Sequence, residues 1–508
     1  MGIVKKSLAY WTCLLTLSYA YLHADQAAVA HDPLLPEKPI VVVIPSYNNS
    51  QWYGRNLDSV IAQKYSNFKV IYIDDSSPDG TGQLVEDYIK ERHLEDKITL
   101  IRNTVRRGAL ANIYTAVHSC DDLAIIVTLD GDDWLKHESV LTRVNNEYMQ
   151  QGAWMTYGHY ECYPKGDSEP QKEMKSVIVH YNMYREWDWI TSHLRTFYAW
   201  LFKQIKLDDF LFEGNFFDVT WDMAFMFPML EMSGERARPI PDILYVYNCA
   251  NPINDFKTKL IRQIHCDKLI RSMPKYSRLK EIPAHVGILA QNSVQTVVLS
   301  QDSPAQLIIC LDSLGDCVRA KNCKGITVLY QAKNSENEAA YTQLQKKLDS
   351  ITFVRCTPET VKSQLLEVMK KNASEYLFLA HDGMMLSAVV DLDACMSALK
   401  KTGAQGVYCA LGTNIMTNPC LTRAQEIPPI VWIEDELWAW QFKNGEQDWR
   451  APYTFSMAIY RTADVLPVVK SAQFSDRASL ERACDKMHCD MQKVGLFFKT
   501  AKAVPTAQ

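Results

Sequence analysis

No CxxC pair occurs among the fourteen cysteines of this 508-residue chain, and they are spread along its length rather than crowded into a short scaffold. Structural zinc sites draw on closely spaced thiolates, so none is expected; Cys317 and Cys323 have no metal-ligand spacing either. The cysteines read as ordinary core and surface residues. Positive charge is also not in excess: 54 Lys and Arg stand against 59 Asp and Glu, a net charge of −5. That argues against a nucleic-acid partner held by phosphate attraction. Apart from one run near the N-terminus no long apolar segment is present, which excludes a bundle of membrane spans. What remains is ordinary globular composition, 47% apolar and 22% charged, with length for two or three domains.

The N-terminal run extends from Leu8 to Leu22 behind Lys5 and Lys6, and Ala24 offers a small cleavage position before Asp25. This pattern predicts a signal peptide or N-terminal anchor over 1–24, then a linker over 25–38 containing Pro33 and Pro36. The expectation is a protein exported, or membrane-associated through its N-terminus, with a mature start near Asp25. A cytoplasmic protein is the alternative.

The most informative stretch is Ala124–Leu135, AIIVTLDGDDWL. Its apolar start is the pattern of a strand buried on both faces. Asp130, Asp132 and Asp133 follow at once. Carboxylates crowded at a buried strand end repel one another unless a cation neutralises them, and Mg²⁺ or Mn²⁺ suits oxygen ligands shared with phosphates. Earlier strands are predicted over 39–47, 68–73 and 98–101. Helical patterns between them carry Leu57, Val60 and Ile61, then Leu84, Val85, Tyr88 and Ile89, then Gly108–Ser119. Strands alternating with helices imply a mainly parallel sheet whose C-terminal rim gathers Ser46, Tyr47, Asp75, Asp130 and Asp132.

VIPSYNN, VIYIDDSSPDGT, NTVRRGALANIYTA and VTLDGDDWL, in that order and spacing, resemble a GT-A glycosyltransferase of the family-2 type over roughly 39–257. Further elements extend the likeness: WMTYGHYECYP, SHLRTF, WDMAFMFPMLEMSG and ILYVYNCANPIND. The resemblance implies transfer of a sugar from a nucleoside-diphosphate sugar, expected to be UDP-linked, to a glycan, lipid or protein hydroxyl. It implies that Pro45, Ser46, Tyr47 and Asn48 line base and ribose, that Asp75 accepts from the base, and that Asp130 reaches the ribose. Arg106 and Arg107 beside Gly108, with Asn112 one turn on, are candidates for the donor's phosphates; Arg195 is a candidate diphosphate clamp. Asp132 is the main metal ligand by resemblance, with Asp133 and His193 beside it, for Mn²⁺ or Mg²⁺. Asp222 is the implied general base of an inverting reaction, with Asp218 as runner-up; Trp221 stands where the family often has Glu. The aromatic residues Trp187, Trp189, Phe197, Tyr198 and Trp200 read as core rather than as a sugar platform.

A boundary is expected near 280, dividing a domain at 39–280 from one at 281–508. Beyond it the alternation restarts, with strands over 294–299, 326–330, 351–354 and 376–380, the last ending in His381 and Asp382. The order echoes the first half. ALGTNI, LWAWQF and DWRAPYTFSMAIYR resemble a bacterial group of GT-A-like domains. The acidic cluster has shrunk there to Asp382, so an accessory role, acceptor binding or scaffold, is expected; a bifunctional two-site enzyme is one alternative. A non-catalytic carbohydrate- or nucleotide-sugar-binding protein is another, although it would not need Asp75, Asp130, Asp132 and Asp222 together. A nucleotidyltransferase would show a Gly-rich phosphate loop where VIPSYNN stands. A processive synthase would need its own membrane channel.

Overall fold

The computed structural model describes residues 36–168, 172, 174–283, 286, 293–371, 374–418, 423–485 and 490–506. The expected signal or anchor segment and most of the linker lie outside them. Among the described residues no helix is long and apolar enough to cross a membrane.

Two α/β units follow one another. The first is built on a seven-stranded sheet of β1 Ile40–Ser46, β2 Phe68–Asp74, β3 Ile98–Arg102, β4 Ile125–Thr128, β5 Met155–Gly158, β6 Ser192–Tyr198 and β7 Ala237–Pro239. Its order is β7-β5-β6-β4-β1-β2-β3. The run β3-β2-β1-β4 is parallel, and β6 enters antiparallel between β4 and β5. The unbroken apolar strands are explained by helices packing both faces: Val42, Val43, Ile44, Ile125, Ile126 and Val127 are fully buried. Three crossover helices, α1 Tyr53–Ile61, α2 Thr81–Glu91 and α3 Ala109–Ser119, return the chain so that β1, β2 and β4 end on one rim. Helix α4, Trp221–Ser233, is apolar on every side, and its residues from Met223 onward are buried. Tyr276 and Leu279 still bond to this unit, at Glu231 and Met232.

The second unit holds a nine-stranded sheet: β8 Val294–Gln301, β9 Cys323–Gln331, β10 Thr352–Arg355, β11 Tyr376–His381, β12 Val407–Tyr408, β13 Ile430–Glu434, β14 Leu437–Gln441, β15 Ala458–Arg461 and β16 Val494–Phe498. The order is β10-β9-β8-β11-β15-β12-β16-β14-β13. Its first five strands repeat the first unit's β3-β2-β1-β4-β6 arrangement, four parallel strands and then an antiparallel one. Asp382 thus stands just past β11 as Asp130 stands past β4. It is buried, and it accepts from Ser300 Oγ at 2.9 Å and the Gln301 amide at 2.8 Å. Its bonds join two strand ends.

Candidate active site

The acidic turn after β4 is shaped by one missing methyl group. A Cβ on Gly131 would lie 2.5 Å from Asn49 Nδ2 and 2.6 Å from Ser46 Oγ, so only glycine lets the turn press against the end of β1. Asn56, fully buried on α1, donates from Nδ2 to the carbonyls of Asp130 and Asp133 at 2.9 and 2.7 Å. Asp133 is wholly buried: Oδ2 accepts from Tyr245 Oη at 2.6 Å and Oδ1 from the Asn248 amide at 2.7 Å. Asp132 accepts from Asn251 Nδ2 at 2.6 Å. The strand Tyr245–Asn248 and the loop after it therefore hold two of the three carboxylates.

Burial and mutual repulsion push these acids toward their neutral forms. Asp132 is raised to about 6, by burial first and then by the charge of Asp130; Asp133 is pushed well above its ordinary value by burial and then by the charges of Asp132 and Asp130, and burial raises Asp130 as well. His193, buried on β6, is held well below its ordinary value by burial and by Arg195, so its imidazole is neutral. Its Nε2 lies 3.6 Å from Asp130 Oδ2, and its ring stacks on Tyr245 at 4.5 Å. Ligand atoms of Asp130, Asp133 and His193 all lie within 4.8 Å of one another. Two carboxylates and a neutral imidazole, in surroundings that disfavour uncompensated negative charge, fit a hard divalent cation.

Arg195 links this cluster to the start of α4. The buried guanidinium donates from Nη1 to His193 Nε2 at 3.0 Å and from Nη2 to Asp222 Oδ2 at 2.6 Å. Asp222 lies in the first turn of α4, whose N-cap is Thr220, so it is not a capping residue. Asp218 pairs instead with Arg262 at 2.7 Å and Lys259 at 3.8 Å. At the other end of the rim, Asp75 accepts from the amides of Arg107 and Gly108 and from Asn103 Nδ2, each at 2.8 Å. Asn103 also donates to Asn112 Oδ1 at 2.8 Å. The Arg106 guanidinium lies 3.7 Å over the Tyr47 ring.

One cavity of about 1430 Å³ joins these groups. Pro45, Ser46, Tyr47, Asp75, Arg107, Gly108, Asn112, Asp130, Asp132, His193, Arg195 and Asp222 line it, and so does Asp218. Two of the expected residues stand outside its lining. Asn48 turns away with a positive φ of 58° and its amide bonded to Ser77 Oγ, and Asn49 takes its place. Asp133 lies behind the wall, engaged by Tyr245 and Asn248. The Arg107 side chain, expected at phosphate, reaches instead to the second unit, donating to the Trp432 carbonyl at 3.2 Å. Of the aromatic group read as core, Phe197, Tyr198 and Trp200 are buried, whereas Trp189 lines the cavity. Sequence reading missed Asn49, Asn56, Tyr245, Asn248 and Asn251, although the last three lie in the quoted ILYVYNCANPIND. It also missed Trp432, Trp438 and Lys499, the second unit's share of the wall.

Residues 41–210 match the family model for glycosyl transferase family 2. Among curated proteins, glycosyltransferase GlyA of Streptococcus pneumoniae is 24% identical over 197 residues, 34% of this chain and 26% of that protein. The Escherichia coli UDP-Glc:alpha-D-GlcNAc-diphosphoundecaprenol beta-1,3-glucosyltransferase WfgD is 28% identical over 128 residues, 24% of this chain and 46% of that protein. The chain thus matches less than half the length of either relative. Among solved structures, Staphylococcus aureus TarS in complex with UDP-GlcNAc is 15% identical with a TM-score of 0.34, covering 47% of this chain and 68% of that one. A Pyrobaculum calidifontis mannosyltransferase in complex with GDP-Man and Mn²⁺ is 21% identical with a TM-score of 0.34, covering 54% and 76%.

Proposed function

We propose, from the premise that the first unit carries a family 2 glycosyl transferase domain of GT-A fold, that this chain transfers a sugar from a nucleoside-diphosphate sugar of the UDP class to an acceptor hydroxyl, with inversion. The observation that carries the reading is one cavity lined by Asp75, the acidic turn, and the linked side chains of His193, Arg195 and Asp222. Asp75, already fixed by two amides, offers its remaining lone pairs to the base. Pro45, Ser46 and Tyr47 flank base and ribose, and Asp130 accepts from the ribose hydroxyls. Asp130, Asp132 and His193 would hold Mn²⁺ or Mg²⁺, with His193 Nε2 exchanging its bond from Arg195 for the ion and Asp133 anchoring the turn. A bound divalent ion supplies neutralising charge for the departing diphosphate. Arg195 orients Asp222, which takes the proton of the attacking hydroxyl. The acceptor is a glycan, lipid or protein. On this reading the domains are 39–280, catalytic, and 281–508, accessory, and the segment 1–24 exports or anchors the enzyme.

The test is release of nucleoside diphosphate by the purified full chain, with UDP- and GDP-linked sugars, Mn²⁺ and a mixture of saccharide acceptors. Turnover that stops with chelator and is lost in Asp132→Asn, at unchanged melting temperature, is expected. Tight binding of a nucleotide sugar with no release from any donor would make the protein a binder rather than an enzyme. Wild-type turnover by Asp132→Asn would remove that residue from the metal site.

A further inference from the structure

The wall of the cavity that the first unit does not build comes from the hairpin β13–β14, at the edge of the second sheet. Trp432 and Trp438 are direct partners across it, so their indoles share a face, and both line the cavity with Lys499. The hairpin is firmly seated. Lys401 pairs with Glu434 at 2.5 Å, Trp432 Nε1 donates to the Asp435 carbonyl at 3.0 Å, and Pro429 closes on Gly214 so tightly that a Cβ there would meet it at 2.7 Å.

One residue of the first unit crosses to this hairpin and grips it. The Arg107 guanidinium lies 4.1 Å over the Trp432 ring, donates to the Trp432 carbonyl at 3.2 Å and reaches Thr115 Oγ1 at 3.4 Å. Half-buried, it is lowered to about 10 by desolvation, against the pull of Asp75. The backbone of the same residue does separate work: the amides of Arg107 and Gly108 each hold one oxygen of Asp75. Gly108 has a φ of 86° and opens α3, so this turn has a conformation the local chain does not favour outside glycine. The Arg107 side chain and these two amides belong to one turn, so contacts at the side chain bear on where the amides point.

We propose that Trp432 is a positioning residue for nucleotide binding: by clamping Arg107 it fixes the amides that aim Asp75 at the base of a nucleoside diphosphate. The second unit is then part of the donor site, and not only a scaffold. This inference rests on the nucleotide reading of the cavity given above.

Titration of UDP, GDP and dTDP, each with Mn²⁺, into full-length variants tests it. Loss of one partly desolvated cation–π contact predicts that Trp432→Ala binds the nucleotide about 5–10-fold more weakly. Trp432→Leu, which fills the space without a π face, should lose as much, and it carries the test if the alanine variant does not fold. Trp432→Phe should recover most of the affinity. Because Trp432 acts through Arg107, the double variant Arg107→Ala/Trp432→Ala should bind no more weakly than Arg107→Ala alone. Wild-type affinity in Trp432→Ala and Trp432→Leu, or losses that simply add in the double variant, overturns the proposal while leaving the nucleotide site standing. Wild-type protein that binds none of the three overturns the reading of the cavity and this inference with it.

Discussion

Asp222 has Arg195 against one oxygen, while its side chain keeps a fifth of its surface open to the cavity. That arrangement fixes its direction without enclosing it. Asp222→Asn keeps the shape and removes the basic oxygen, so turnover should fall ~10²–10⁴-fold while nucleotide affinity stays within a few-fold, read by steady-state kinetics beside calorimetry. Equal loss in both would make Asp222 part of the nucleotide grip. The acidic residues were legible because a buried apolar run that breaks into carboxylates has few structural uses. Their supports were not. Asn56 reaches the turn from 74 and 77 residues away, and Asn251 from 119. An asparagine in a helical pattern looks like any other polar residue until the chain is folded. Asn48 and Asn49 differ only in which one the turn after β1 points inward, and positive φ at Asn48 decides it.

At the scale of the element, the turn after β4 depends on the close approach to β1. Gly131→Ala places a methyl group within 2.5–2.6 Å of Asn49 and Ser46, too near for any packed carbon. The turn must move away, carrying Asp130 and Asp132 with it. The expected result is metal-dependent nucleotide binding weakened at least tenfold, with a modest fall in melting temperature, since the strand itself can stay in place; unchanged Mn²⁺ dependence of UDP binding would show that the turn tolerates the shift. The strands and crossovers that create this rim could be read in advance, because period and composition are local. That Arg107 turns its side chain to a strand 325 residues away could not: a loop arginine beside a glycine carries no sign of which surface will cover it.

Across the whole molecule, Asp382 and Asp130 hold equivalent places in two copies of one strand order, and only their neighbours differ. Asp382→Ala leaves the Ser300 hydroxyl without one acceptor and strips the Gln301 amide of the carboxylate it donates to, inside a packed unit. It should cost about 1–3 kcal/mol of stability and leave kcat of transfer near wild type; a loss of activity matching Asp132→Asn would reveal a second active centre. Both units also bury a neutral histidine. Burial, against a bond to the Tyr114 carbonyl, lowers His118 to about 4; burial and Arg477 lower His381 to about 3. Each binds fewer protons folded than unfolded between its lowered value and the ordinary 6.5. Their contribution is therefore complete above pH 6.5 and is lost as pH falls toward 4. The raised acids after β4 act in the opposite sense over this range, so the check is differential: in denaturant titrations from pH 7 to 4, His381→Gln should gain stability relative to wild type by up to about 1.4 kcal/mol per pH unit. An identical slope in the variant would mean that burial and Arg477 do not keep the ring neutral.

The repeated strand order gives this chain an internal standard. In one copy the aspartate past the fourth parallel strand stands among like charges that strain against each other; in the other the same position has been domesticated into a tie between two strands. Heat, acid or a substitution acts on both within a single polypeptide, under identical solvent and at fixed stoichiometry. The difference between Asp130 and Asp382 in any measurement then isolates what crowding of charge does to a carboxylate, with the surrounding architecture as the constant.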